Sequence, residues 1–275
     1  MNVKIVVVFM ITSLVFGVIV AHFSLSDPEY HAAYPMLRND LDMIYQQVEH
    51  DRLETKIILV NHHLLAPHLI ARALAGVATK NKQTVVLISP NHFGAGDGFA
   101  ITTLYPWKTS YGVLTADRKL IKQLVRAGVT IDPVPFEREH GISNIIPFIK
   151  KSVPNARIVP IMIRDTASSQ DIDALAKALP PDALIIGSFD FSHEVTGTVA
   201  DMQDAKSLAA LETFDITAVS KLSLDSRSGL RLLMQYAALR DKRHFVLFGA
   251  TNSAKILKRP DQSDVTSYIA GYFTD

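Results

Sequence analysis

The sequence predicts an α/β fold of three layers, α/β/α, in which helices cover both faces of a mainly parallel central sheet. Three observations carry that prediction. Short runs of β-branched and aliphatic residues alternate with longer amphipathic stretches along most of the chain. The runs are apolar throughout rather than at every second residue, as in strands buried on both faces. Hydrophobic residues make up 48% of the chain and charged residues 20%, which supports a sizeable core over 275 residues.

The elements follow in order. Lys4 precedes an apolar stretch from Ile5 to Ala21, interrupted only by Thr12, Ser13 and Gly17. As a helix it reaches about 26 Å, at the lower limit for a bilayer. Residues 1–24 are therefore expected to be a signal peptide or an N-terminal membrane anchor. Residues 25–275 form one α/β domain, exported and either periplasmic or anchored facing away from the cytoplasm. A helix is expected from about Pro35 to His50. Lys56–Asn61 reads as a buried strand, and Pro67–Thr79 as a helix with proline in its first turn. Thr84–Ser89 and Phe99–Thr103 are strands, and Asp117–Ala127 and Gly141–Lys151 are helices. Arg157–Ile163 is a strand whose Pro160 requires an edge or irregular position. Gln170–Ala178 is a helix and Ala183–Phe189 a strand. Two or three helices fill Val199–Leu239, and Phe245–Ala250 and Val265–Phe273 are the last strands.

Composition narrows the chemistry. Lys plus Arg total 28 and Asp plus Glu 27, a net charge of +1, which argues against a nucleic-acid partner. Cysteine is absent, which excludes disulfides, thiolate metal clusters and thiol nucleophiles. Histidine occurs ten times, so a bound metal must be held by imidazole and oxygen. The glycines of Gly94–Gly98 lack the Lys-Ser/Thr of a phosphate loop and read as a turn, and no Gly-x-Ser-x-Gly elbow occurs.

Three predicted strands run into histidine: Lys56–Asn61 into His62 and His63, Thr84–Ser89 into His92, and Ala183–Phe189 into Asp190 and His193. His140 follows Glu139 just before a predicted helix. Ligands of such sheets collect beyond the carboxyl ends of the strands. If these strands are neighbours, the imidazoles converge on one crevice, where they serve as metal ligands or proton carriers. Asp190 is placed to orient a ligand or to be one. His63 points away from His62 if the strand continues, so at most one of the two faces the site. His68 is expected to be structural or peripheral.

The segments Ser89–Gly94, Glu139–Ile142 with Pro147-Phe148, Ile158–Ile163, Ser188–His193 and Ser267–Phe273 resemble the Memo family, also called the AmmeMemoRadiSam system protein B family. Ala33-Tyr34-Pro35 and Pro106–Gly112 resemble two further stretches of it, so the resemblance covers about residues 33–275. It implies a fold similar to class III extradiol dioxygenases, which hold non-haem Fe(II) with two histidines and a carboxylate. It implies His62 and His92 as metal ligands and His193 as the acid/base residue. Asp190 and His140 line or support the site. Fe(II) is the implied metal, with copper as the alternative. An unknown small molecule is the implied substrate or ligand.

The departures are specific. Glycine and tyrosine are missing after His62, and Ala66-Pro67-His68 offers a competing match. The second glutamate after Glu139 is lost. The cysteine that is a third ligand in some members has no counterpart, and Gly249–Lys258, the stretch matched to it, contains no carboxylate. Asp190, Asp261 and Asp264 are the expected substitutes. Two functions follow: a metal-dependent oxidoreductase or dioxygenase-like enzyme, or a non-catalytic metal- or ligand-binding adaptor that has lost its third ligand.

Overall fold

The computed structural model describes residues 29–49, 54–77 and 83–275. The expected signal or anchor at residues 1–24 lies outside the described residues. Among those described, no helix is long and apolar enough to cross a membrane. Residues from His31 to Asp275 form one unit.

Its strands are β1 (His31–Ala32), β2 (Ile57–Val60), β3 (Thr84–Pro90), β4 (Ala100–Thr102), β5 (Trp107–Thr109), β6 (Gly112–Ala116), β7 (Thr130–Ile131), β8 (Arg157–Ile163), β9 (Leu184–Ser188), β10 (Phe191–Val195), β11 (His244–Asn252) and β12 (Val265–Thr274). Its helices are α1 (Arg38–Gln46), α2 (Pro67–Ala75), α3 (Arg118–Leu124), α4 (His140–Ser143), α5 (Ile146–Ser152), α6 (Ser169–Ala178), α7 (Gly197–Glu212), α8 (Arg227–Ala238) and α9 (Ser253–Leu257).

The strands form a single mixed sheet with the main order β1-β5-β6-β8-β3-β9-β2-β12-β10. The centre, β6-β8-β3-β9-β2, is parallel throughout. Antiparallel pairs flank it, with β12 against β2, β10 and β11, and β5 against β6.

Successive residues of the central strands feed opposite cores, as a period of two requires. Ile57 and Leu59 of β2, Val86 and Ile88 of β3, and Ile185 of β9 pack with α3, α6 and α8. Ile58 and Val60, Val85 and Leu87, and Leu184 and Ile186 pack with α1, α2 and α5 on the other face. The layers are thus α/β/α, and the unbroken apolar runs are explained by burial on both faces.

Several helix starts have local causes. Pro67 opens α2. Asp117 caps α3 by accepting from the Leu120 amide, and Ser168 and Asp171 form a reciprocal capping box on α6. The helix expected over Gly141–Lys151 is instead two, α4 and α5. Pro147 has no amide hydrogen and stands in the first turn of α5, a position a continuous helix tolerates poorly. Pro160 sits in β8 at a place where the neighbouring strand changes. β6 pairs up to Ile158 and β4 pairs from Met162, leaving Pro160 without a ladder partner on that side. Gly94, Gly96 and Gly98 turn the chain with positive φ, and their carbonyl side is gripped by Arg164, which donates to Gly94 and Gly96. The hairpin β5–β6 and the short strand β10 carry no apolar run long enough to stand out in the sequence.

Candidate metal centre

β3, β9 and β2 are adjacent and parallel, so their carboxyl ends lie side by side. Each delivers one polar residue two positions beyond its end: His92 after Pro90, Asp190 after Ser188, and His62 after Val60. The neighbour relation is what converts three separate strand-end motifs into one crevice. His140 joins them as the first residue of α4. One ligand atom from each of His62, His92 and His140 can be chosen so that all lie within 4.8 Å of one another. The His92 and His140 rings stack at 4.1 Å, and the His62 ring stands edge-on to both at 5.1 and 5.2 Å.

The outward nitrogens meet at a carboxylate that sequence reading missed. Asp225 Oδ2 lies 3.3 Å from His62 Nε2, 3.7 Å from His92 Nε2 and 4.0 Å from His193 Nε2. Asp225 immediately precedes Ser226, whose hydroxyl accepts from the Gly229 amide and starts α8. In sequence, Asp-Ser before an amphipathic run reads only as a cap. What brings Asp225 inward is a short antiparallel pairing of residues 190–192 with 223–225. The Ser192 amide donates to Ser223, Phe191 bridges Leu224, and the Asp225 amide donates to Asp190. The Asp190 amide in turn donates to Asp225 Oδ2 at 3.0 Å.

The other expected carboxylates do different work. Asp190 is buried; its Oδ1 accepts the His62 amide at 2.9 Å and its Oδ2 stands 3.6 Å from His62 Nε2. It therefore orients the chain leaving β2. Asp261 and Asp264 are exposed. The polar groups of Gly249–Lys258 bond elsewhere: Asn252 and Lys255 hold Asp201, and Ser253 accepts from the Thr266 amide.

Both strand-end histidines present Nε2 because Nδ1 is occupied. The His92 Nδ1–H donates to Glu139 Oε1 at 2.6 Å. Glu139 also accepts from the His92 amide at 3.1 Å and the Gly141 amide at 2.9 Å, and it is wholly buried. His62 Nδ1 lies 3.3 Å from the Ser188 carbonyl. Carboxylate or carbonyl partners on Nδ1 are the usual way to fix tautomer and ring orientation of a metal-binding histidine. Gly141 leaves room for this: a Cβ there would press on Ser89 Oγ and come within 3.1 Å of Glu139 Oε1.

The electrostatics are strongly uneven. Burial, reinforced by His92 and His140, holds His62 well below its ordinary value. Burial also opposes charging of His92, but Asp225 and Glu139 outweigh it and push that imidazole up to about 10. Burial and the nearby Asp190 raise Asp225 to about 7. Burial lowers His140 and His193, so both are neutral at pH 7. His193 sits on β10 between Ser192 and Glu194, whose φ values of 27° and 52° are costly for non-glycine residues. Such backbone persists where the surroundings impose it, and here it turns His193 towards Asp225.

A metal fits these residues. Ligand bonds of about 2.0–2.2 Å at ordinary coordination angles separate two ligand atoms by about 3.0–3.5 Å. The Asp225 separations from His62 and His92 lie at or just above that range. Asp225 Oδ1 is buried without a partner among the described residues, an orphan that a cation would satisfy.

A model of the Memo-like protein family matches residues 27–263. The chain belongs to this family. Among Memo relatives, a MEMO1 family protein of Caldivirga maquilingensis is 28% identical over 242 residues, covering 81% of this chain and 82% of its own. One of Nitrosopumilus maritimus is 24% identical, covering 70% and 78%. One of Pyrobaculum arsenaticum is 32% identical over a shorter stretch, covering 55% and 58%. Memo membership and a cluster of His62, His92 and His140 that could hold a metal ion are the coarse description of this site.

Proposed function

We propose that this chain is a metal-dependent oxidoreductase with a non-haem Fe(II) centre held by His62, His92 and Asp225. The observation that carries this reading is the convergence of two Nε2 atoms on one buried carboxylate oxygen. Two histidines and a carboxylate with open positions suit Fe(II) that reacts with O₂. When bound, the metal supplies Lewis acidity and redox capacity. The chain's own residues do the rest. Glu139 holds the His92 ring so that Nε2 faces inward. Asp190 fixes the backbone at His62. His193, kept neutral by burial and partly exposed, accepts a proton at Nε2 from a hydroxyl of the substrate and later returns it. His140, stacked on His92, lines the same space.

The adaptor reading rested on a missing third ligand, and Asp225 supplies a carboxylate where one was lacking. Export by the apolar segment at Ile5–Ala21 remains part of the proposal, with a small oxygen-bearing molecule as substrate. The test is anaerobic reconstitution with Fe(II) and metal analysis of the wild type, His62→Ala, His92→Ala and Asp225→Ala. One iron per chain is expected in the wild type and little in the variants. Equal iron content in all four would sink the assignment.

A further inference from the structure

A second concavity opens beside the turn that carries Asp225. Asp225 faces the histidines, but the two residues after the Ser226 cap, Arg227 and Ser228, bond to Asp165, just past the end of β8. The Asp165 carboxylate accepts Arg227 Nε at 2.8 Å and the Ser228 amide at 3.0 Å, and its carbonyl accepts the Ser228 hydroxyl at 3.0 Å. These residues form one wall of a cavity of about 390 Å³. Much of the remaining lining is apolar. Ile172 and Val219 are buried core residues, and Ala167 and Ile216 pack against the same core. Thr217 and Ser220 line the cavity too, but their hydroxyl protons are spent within the chain. Thr217 donates to Asp215 Oδ1 at 2.6 Å, and Ser220 donates to the Thr217 carbonyl at 3.1 Å.

Arg231 is the lining residue left over. It stands four residues after Arg227 on α8, so the two share a helix face, and both line the cavity. It is partly buried, and it makes no hydrogen bond or ion pair among the described residues. Among the described lining residues Asp165 is the one carboxylate, and Arg227 already engages it. One positive charge is therefore unmatched beside an apolar surface. A planar guanidinium offers paired N–H groups in the geometry that a carboxylate accepts, two bonds at once. A carboxylate also brings the single negative charge that is missing, whereas a phosphate monoester brings about −1.5 to −2 at pH 7.

We propose that this cavity binds a small organic monocarboxylate, with Arg231 gripping the carboxylate and Ile172, Ile216 and Val219 receiving the apolar body. The site shares no residue with the histidine centre and does not rest on the metal reading.

Hexanoate is the probe, and hexanamide is its uncharged match in shape. The full chain is titrated with each by ¹H–¹⁵N NMR, in buffer passed over chelating resin, which removes metal without adding a carboxylate. The wild type is expected to bind hexanoate saturably and about tenfold more tightly than hexanamide, the worth of hydrogen bonds between charged partners. Arg231→Ala and Arg231→Gln each lose that preference and bind the two probes alike, while Arg231→Lys keeps part of it. Ile216→Ser weakens both probes in equal proportion, because it removes apolar surface and leaves the charge. Equal affinity of the wild type for the two probes overturns the proposal without recourse to any variant. Undiminished hexanoate affinity in Arg231→Ala overturns it as well, as does the absence of saturable binding. Tighter binding of hexyl phosphate than of hexanoate overturns the assignment to a carboxylate.

Discussion

Replacing Glu139 by glutamine tests how the buried carboxylate controls His92. Glutamine keeps the shape but presents an amide NH₂ to one of three groups that now donate to Glu139: His92 Nδ1, the His92 amide and the Gly141 amide. In the metal-free protein the His92 imidazole is raised from 6.5 to about 10, with its side chain 20% exposed. At about 1.4 kcal/mol per unit, that shift places a ceiling of about 5 kcal/mol on its contribution to stability. Burial works against the charge, while Asp225 and Glu139 share the favourable part, so removing the Glu139 charge should cost about 2 kcal/mol. The raised value fixes the sign. His92 contributes fully below pH 6.5, and the contribution is lost as pH rises through about 10. Asp225, raised to about 7, also loses stability with rising pH, but its window closes near pH 7. His62, His140 and His193 are lowered, so their windows lie below 6.5. The difference between wild type and Glu139→Gln in urea unfolding with chelator present, between pH 7 and 10, therefore isolates His92, because other shifted groups such as the lowered Lys150 act alike in both. The stability gap between wild type and Glu139→Gln should shrink by about 2 kcal/mol across that range. A gap that stays constant refutes the reasoning.

Three further outcomes are expected. Metal at about 100 times its Kd should stabilise the wild type by about 2.7 kcal/mol; in Asp225→Asn the shift in thermal midpoint should fall by more than half. Because metal must displace the proton of His92, affinity measured by competition with a chelator should rise nearly tenfold per unit between pH 7 and 9, and a pH-independent affinity contradicts the raised imidazole. Gly141→Ala should cost about 1–3 kcal/mol by crowding the buried Ser89 and Glu139 side chains, and adding Ser89→Ala should recover much of it; no recovery in urea unfolding places the strain elsewhere.

Much of this protein is written locally. The fully apolar runs of β2, β3, β8 and β9 announce a two-sided sheet, because each residue of such a strand meets a helix layer on one face or the other. Histidines just past strand ends announce a crevice, because that is where a parallel sheet opens. Pro160 was legible as an irregularity, whereas Pro147 was read through as part of one helix; only the fold shows that Pro147 stands at a split between two helices and that Pro160 sits where strand partners change. The residue identities alone thus determined the layers, the Memo resemblance, and His62, His92, Asp190 and His193 as candidates.

Tertiary structure decided the rest. The order β3-β9-β2, which brings the histidines together, is a set of long-range pairings that no local pattern encodes. Asp225 looks like part of a helix cap until residues 223–225 pair with 190–192 and carry it under the histidines. The contact of His63 with Tyr268, 205 residues away, is likewise set only by the packed fold. Periodicity and capping are interactions among neighbours in sequence, whereas a metal site is made by side chains whose proximity only the packed core enforces.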